Sequence, residues 1–438
     1  MTRWRTLVTG SAGILLLIIT LFPGCAERER INPFDPGGKT QPLVTLELTP
    51  LSHAVRLEWE LTQEIEGIQG FRLYRAVDSP ENFVPLADFS PHQFSYTDTT
   101  VATGRWYFYR MTALGMGEES APSSPRKVLL GPGTIWVLSN FNAFIKQVSY
   151  DLLHVQRTFH ISFPPRSWSI VPGDSIIWVS YVEISRGISR ISKNTGREER
   201  VLPGRFTFPQ AVAHDPRTGR VFVLDMELEG DNPRIVTVQN RQVIREMFLS
   251  PPDRYFRMAY HPADQTLIVL GEQHCLIQPV GEIQTNPVTI TFPDGFIGQG
   301  FALGQNGMYL LTALEEEAIS RVFRVTSGGT VEDSLLLNGF YYAIARDEAT
   351  DMLYLAEFRE RANDLLVQLS SDGQRHWEAP DFIEILDIGI NPVDHSVTVV
   401  DRFTDVLRTY DLNGRLITES IRLDGRVTLS HPSRVFIE

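Results

Sequence analysis

Cysteine is nearly absent from this chain of 438 residues: Cys25 and Cys275 are the whole complement, so disulfides do not organise the fold. Bases are also short, 40 Lys and Arg against 53 Asp and Glu, and the net charge of −13 disfavours non-specific nucleic-acid binding. No nucleic-acid partner is expected. The uncharged, mostly apolar stretch Leu7 to Phe22 has sixteen residues, short of the ~20 that a membrane-spanning helix needs. Catalytic signatures are missing too. The ten histidines are scattered, and the chain has no HExxH, no clustered Cys and His, and no GxSxG. His214 and His261 precede Asp-Pro and Pro at equivalent repeat positions, which a turn role explains. Gly295, Gly298, Gly300 and Gly304 read as turn and close-packing positions.

What the chain does have is repetition. Seven short apolar runs recur: IWVL from Ile135, IWVS from Ile177, VFVL from Val221, LIVL from Leu267, MYLL from Met308, LYLA from Leu353 and VTVV from Val397. Aligned on their second residue they fall at Trp136, Trp178, Phe222, Ile268, Tyr309, Tyr354 and Thr398, spaced 42, 44, 46, 41, 45 and 44 residues apart. A strand-like repeat of about 40–45 residues is the signature of a β-propeller. The runs have lost the alternation of a half-exposed strand, as expected where sheets cover both faces. Turn signals precede them, among them Gly131-Pro132-Gly133, Asp215-Pro216 and Asn391-Pro392.

The N-terminus reads as an export signal. Arg3 and Arg5 form a positive region ahead of the apolar stretch, which ends in Leu21-Phe22-Pro23-Gly24-Cys25. That ending resembles a bacterial lipoprotein box, with Phe22 where the family favours Leu and Pro23 where it favours a small residue. The resemblance implies cleavage before Cys25 and lipidation of Cys25, hence an extracytoplasmic, membrane-anchored protein, periplasmic or at the cell surface. The mature chain would carry 38 bases against 53 acids, a net charge of −15. Cys275 would then have no intramolecular partner and is expected to be a partly buried, unreactive thiol. The expected division is 1–25 signal peptide, 26–41 flexible tether rich in Pro and Gly, 42–130 β-sandwich and 131–438 propeller.

Residues 42–130 suggest seven short strands: Leu43–Leu48, Val55–Leu61, Gly70–Ala76, Phe83–Ala87, Phe94–Thr97, Trp106–Ala113 and Arg126–Leu130. Trp59 in VRLEWEL, the run GFRLYRA and the run WYFYRMTALGMGEESAPSSP resemble a fibronectin type III module. The resemblance makes Tyr107 the corner tyrosine, whose hydroxyl ties to nearby backbone. Such modules serve as spacers or adhesion units, and no Arg-Gly-Asp loop is present.

The repeats resemble YVTN and NHL-like propellers of extracytoplasmic bacterial proteins. The expected fold is therefore all-β, a sandwich followed by a seven-bladed propeller. The first repeat lacks its inner strand, and Ser433 to Glu438 at the other end is an orphan inner strand, so the C-terminal strand is expected to close the ring. Candidate ligand-facing positions after the second strands include Asp225, Glu357 and Asp401, with Glu227 just beyond. Loops entering the inner strands supply Arg166, Arg205, Phe206, Phe208, Arg254, Tyr255, Phe256, Phe296, Tyr341 and Trp377. Aromatics, arginines and carboxylates on one face suit a protein, peptide or glycan partner.

The expected function is non-enzymatic: a lipoprotein whose propeller binds a partner, with the sandwich as spacer. No cofactor is expected. The alternative is a hydrolase or lyase with carboxylates at the channel mouth, for which Asp225, Glu357 and Asp401 are the candidate Ca²⁺ ligands.

Overall fold

Alternation builds the first group of strands. Val44–Pro50 and Val55–Leu61 bury every second side chain, which gives each strand one face in a core. With Ser95–Asp98 they form a three-stranded sheet; Ile68–Val77, Val84–Phe89, Trp106–Gly115, Glu118–Glu119 and Arg126–Leu129 form a second sheet. Trp59, Phe71, Tyr109 and Met111 lie in the core between them. The expected strands fall within two residues of the observed ones, and only Glu118–Glu119 is an added strand. The Tyr107 hydroxyl accepts a hydrogen bond from the Ala102 N–H at 2.8 Å.

The structure is a computed structural model that describes residue 34 and residues 41–182, 186–226, 232–281, 286–420, 422–423, 426–427 and 433–438. The leader with Cys25, most of the tether, and Glu227 lie outside the described residues. Phe34, assigned to the tether from the sequence, is fully buried in the core of the first unit. Its ring lies over Gly115, where a Cβ would come within 2.5 Å of it. Among the described residues no helix is long and apolar enough to cross a membrane.

From residue 131 onward the described strands form seven four-stranded antiparallel sheets and one short pair, Arg422–Leu423 with Arg426–Val427. Each apolar run is the second strand of its sheet, and Ile135–Ser139, Thr266–Leu270 and Val397–Asp401 are buried at every residue. The reason is packing on both faces. Ile188 and Val201 of the second sheet meet Val212 and Val223 of the third. Val400 and Leu407 of the seventh meet Ile135 and Val137 of the first. Fourth strands are outermost, and Gln242–Phe248 alternates exposed and half-buried residues as an edge strand should.

The first sheet takes its innermost strand from the far end of the chain. Arg434–Ile437 pairs antiparallel with Ile135–Leu138, Arg434 opposite Leu138 and Ile437 opposite Ile135. Val435 and Ile437 are buried toward the seventh sheet, whereas Phe436 points the other way, against the cluster shared by the first and second sheets. Four other innermost strands carry a bulge at the same place, between Pro209 and Ala211, Gly298 and Gly300, Tyr341 and Ala343, and Ile385 and Asp387. A bulge re-aims the side chains beside it.

Candidate functional site

Strand register defines a ring of seven residues. Two positions beyond the aligned residue of each run, the partner on the innermost strand is Arg434, Ser167, Ala211, Arg257, Gly300, Ala343 or Asp387 in turn around the sheets. Four of these are small, and the other three are charged. A cavity of about 450 Å³ opens here, walled by residues of six sheets, with Arg257, Arg434, Asp387, Arg166, Gln210 and Phe256 among them.

The charges in this cavity are unequally satisfied. Arg434 pairs with Asp387 at 3.3 Å, and the other oxygen of Asp387 accepts the Val435 N–H at 3.0 Å. The Arg166 Nε donates to the Gln210 Oε1 at 3.2 Å. The Arg257 side chain has no hydrogen bond or ion pair among the described residues. Burial, reinforced by the charge of Arg434 and only partly offset by Asp387, pushes its pKa down to about 10, so it remains a cation at neutral pH. Gly300 makes room for it, since a Cβ there would meet the Arg257 Nη1 at 2.9 Å. Gly298 is a close-packing position, where a Cβ would meet the Gly271 carbonyl oxygen at 2.3 Å.

Among the described residues, Arg166 and Phe256 are the sequence candidates that reach this cavity. Asp225 is 1% exposed and accepts the N–H groups of Thr207 and Phe208 while pairing with Arg234 at 2.7 Å. Asp401 does the same for Ile383 and Glu384, beside Arg408 at 3.6 Å. Both carboxylates therefore fasten the loop that enters the innermost strand of their own sheet. Glu357 accepts from the Tyr341 hydroxyl and pairs with Arg375 at 2.5 Å. Among the described residues no three His, Cys, Asp or Glu side chains gather as a metal ion would require, so Asp225, Glu357 and Asp401 do not converge.

The remaining candidates disperse. Tyr255 is buried, its hydroxyl bound to the Pro251 carbonyl at 2.7 Å. Arg205 and Arg254 are exposed and pair with Glu246 and Glu272. Tyr341 belongs to an innermost strand and Trp377 to an outermost one, rather than to loops. Cys275 is wholly buried, more than expected, and burial pushes its thiol up to about 12.

Sequence reasoning missed Arg257, Arg434 and Asp387, although a signal was present. Ser167, Ala211, Arg257, Ala343 and Asp387 each lie eleven positions before the aligned residue of their own repeat. It also missed a second arrangement. His214 bridges Ser169, whose Oγ lies 2.9 Å from its Nδ1, and Asp174, whose Oδ2 lies 2.7 Å from its Nε2. His214 and Asp174 stand in the wall of a separate cavity of about 460 Å³ between the second and third sheets. Burial lowers the pKa of His214, more than the hydrogen bond and charge of Asp174 raise it. At the equivalent position His261 bonds the Gly304 carbonyl of the next sheet at 2.7 Å, so both histidines lace neighbouring sheets.

No protein-family model matches the chain, and no curated protein matches it. Solved structures do. A protein from Lactobacillus plantarum is 14% identical with a TM-score of 0.52, covering 70% of this chain and 99% of its own. A candidate 6-phosphogluconolactonase from Bacteroides uniformis is 11% identical with a TM-score of 0.55, at 70% and 99% coverage. A second such candidate, from Bacteroides fragilis, is 10% identical with a TM-score of 0.52, at 70% and 98%. At these identities the likeness shows the fold alone, a β-propeller in an all-β chain.

Proposed function

We infer that the chain is a membrane-held binding protein of the cell envelope. In this reading Cys25 carries the lipid and residues 42–130 are a fibronectin type III-like spacer. Residues 131–438 form a seven-bladed propeller, closed by the C-terminal strand, that binds a protein, peptide or glycan. The bond from Ala102 to the Tyr107 hydroxyl supports the spacer assignment.

One observation carries the binding role. Strands alternate in direction, so the loops after the second strands and before the innermost strands share one end of every sheet. At this end Phe141 is 67% exposed, Phe358, the last residue of its strand, 50%, Ile383 51% and Phe403 63%, in the first, sixth and seventh sheets. Those sheets are consecutive through the shared clusters. Large apolar side chains exposed at the same end of consecutive sheets mark an interaction surface. The test is capture from detergent-solubilised membranes. The wild-type chain should retain a partner that the triple variant Phe141→Ser, Phe358→Ser, Phe403→Ser loses, with both proteins melting alike. Equal capture by the two would overturn the reading.

A second reading, hydrolysis, is favoured by the order Ser169–His214–Asp174. A histidine between a hydroxyl and a carboxylate can take the proton of an attacking serine. Two of the similar structures are candidate 6-phosphogluconolactonases. If this reading holds, the wild type hydrolyses a chromogenic ester or 6-phosphogluconolactone above the solvent rate, and Ser169→Ala falls to that rate. Equal rates for the two proteins would dismiss it.

A further inference from the structure

The central cavity is a positive site in an acidic protein. Among the described residues three arginines line it, Arg166, Arg257 and Arg434, against the single carboxylate of Asp387. Both oxygens of that carboxylate are already engaged, one by the Arg434 guanidinium and one by the Val435 N–H. Asp387 therefore leaves Arg257 without a counter-ion in contact. The remaining ring positions, Ser167, Ala211, Gly300 and Ala343, carry no charge and little bulk, so the space between the arginines is not filled by side chains.

A guanidinium taken out of bulk water and placed near a second one costs free energy unless an anion compensates it. Among the described residues no anion lies in contact with the Arg257 side chain, and Asp387 compensates it only from a distance. Planar guanidinium groups bind carboxylate and phosphate oxygens through paired N–H donors, and they do so most strongly where water is restricted. The excess of two positive charges matches a doubly charged oxyanion.

We propose that the central cavity binds a small dianion, a phosphate or dicarboxylate, held by Arg257 and Arg434 on the innermost strands with Arg166 at the rim. This goes beyond the partner-binding reading and stands apart from it, because the rim residues Phe141, Phe358 and Phe403 are not in the cavity wall. Either proposal can fail while the other survives.

The experiment is isothermal titration of the purified full chain, in detergent and a low-salt buffer, with inorganic phosphate and, separately, succinate. The expected result is a saturable one-site isotherm for at least one ion, with a melting temperature that rises and then levels as that ion is added. Binding of phosphate alone assigns a phosphate group, and binding of succinate alone assigns a dicarboxylate. Arg257→Gln should weaken binding at least tenfold. Arg324→Gln, which removes an exposed outer ion pair with Glu332, should leave it unchanged. Arg434→Gln serves as the second variant should the first fail to fold. No saturable binding of either ion to the wild type overturns the proposal, and so does equal weakening by Arg257→Gln and Arg324→Gln.

Discussion

His214 is 3% exposed, and its ring closes a bridge from Ser169 on one innermost strand to Asp174 in the turn below it. Burial depresses its pKa below the ordinary value near 6.5, against the pull of Asp174. The sign follows from linkage. In the unfolded chain His214 takes its proton at the ordinary pH, while in the fold it resists, so below about pH 6.5 the unfolded chain binds more protons. The stability contributed by the neutral ring is therefore complete above that value and is lost as the pH falls toward the folded pKa. Each unit of depression corresponds to about 1.4 kcal/mol. Urea unfolding at pH 7.5 and 5.5 should show a larger loss for the wild type than for His214→Gln, which titrates nothing. Parallel losses in the two proteins would show that His214 does not carry the acid sensitivity.

At the scale of strands, legibility divides by what each strand touches. The second strands were readable because sheets cover both of their faces, and nothing but an apolar run such as VFVL survives there. The first unit was readable for the opposite reason, since one wet face imposes alternation, as in VRLEWEL. Innermost strands were harder. They mix arginine, aspartate, glycine and alanine because each is the terminal strand of its sheet, and six of them border the cavity along that free edge. Their bulges also put side chains where a simple two-residue period does not. The candidates legible in the sequence therefore end at Arg254, Tyr255 and Phe256, one residue short of Arg257. Asp225 and Asp401 misled for a related reason. A carboxylate at the end of an apolar run looks poised for a ligand, but the N–H groups it satisfies belong to a loop some 17 or 18 residues earlier. Sequence spacing does not reveal that pairing. Only the return of the chain beside its own run does.

At the scale of the whole molecule, the six residues from Ser433 to Glu438 are expected to hold the first sheet to the seventh. Their strand is tied at both ends, by the Ser433 N–H to the Leu138 carbonyl at 2.8 Å and by reciprocal bonds between Thr134 and Glu438 at 2.7 and 3.0 Å. Each such bond is worth about 0.5–1.5 kcal/mol net. Val435 and Ile437 are 6% and 5% exposed, and burying each contributes on the order of 1.5–3 kcal/mol. Glu438 adds an ion pair at 2.6 Å to Lys193, a lysine only 7% exposed that would otherwise be a buried, unmatched charge. These contributions are comparable with the ~5–15 kcal/mol stability of a whole domain. Deleting residues 433–438 should therefore lower the melting temperature sharply. It would also bare the edge of Ile135–Ser139, a strand buried at every residue, and such an edge recruits other chains. Light scattering should then rise on warming, while limited proteolysis releases the first unit intact, because its core is built from its own two sheets and Phe34. Glu438→Gln alone should cost much less, since it keeps the ladder and both buried side chains. A truncated protein that stays soluble and melts with the wild type would mean that the ring is closed by other contacts, and the proposed seven-bladed architecture would fall with it.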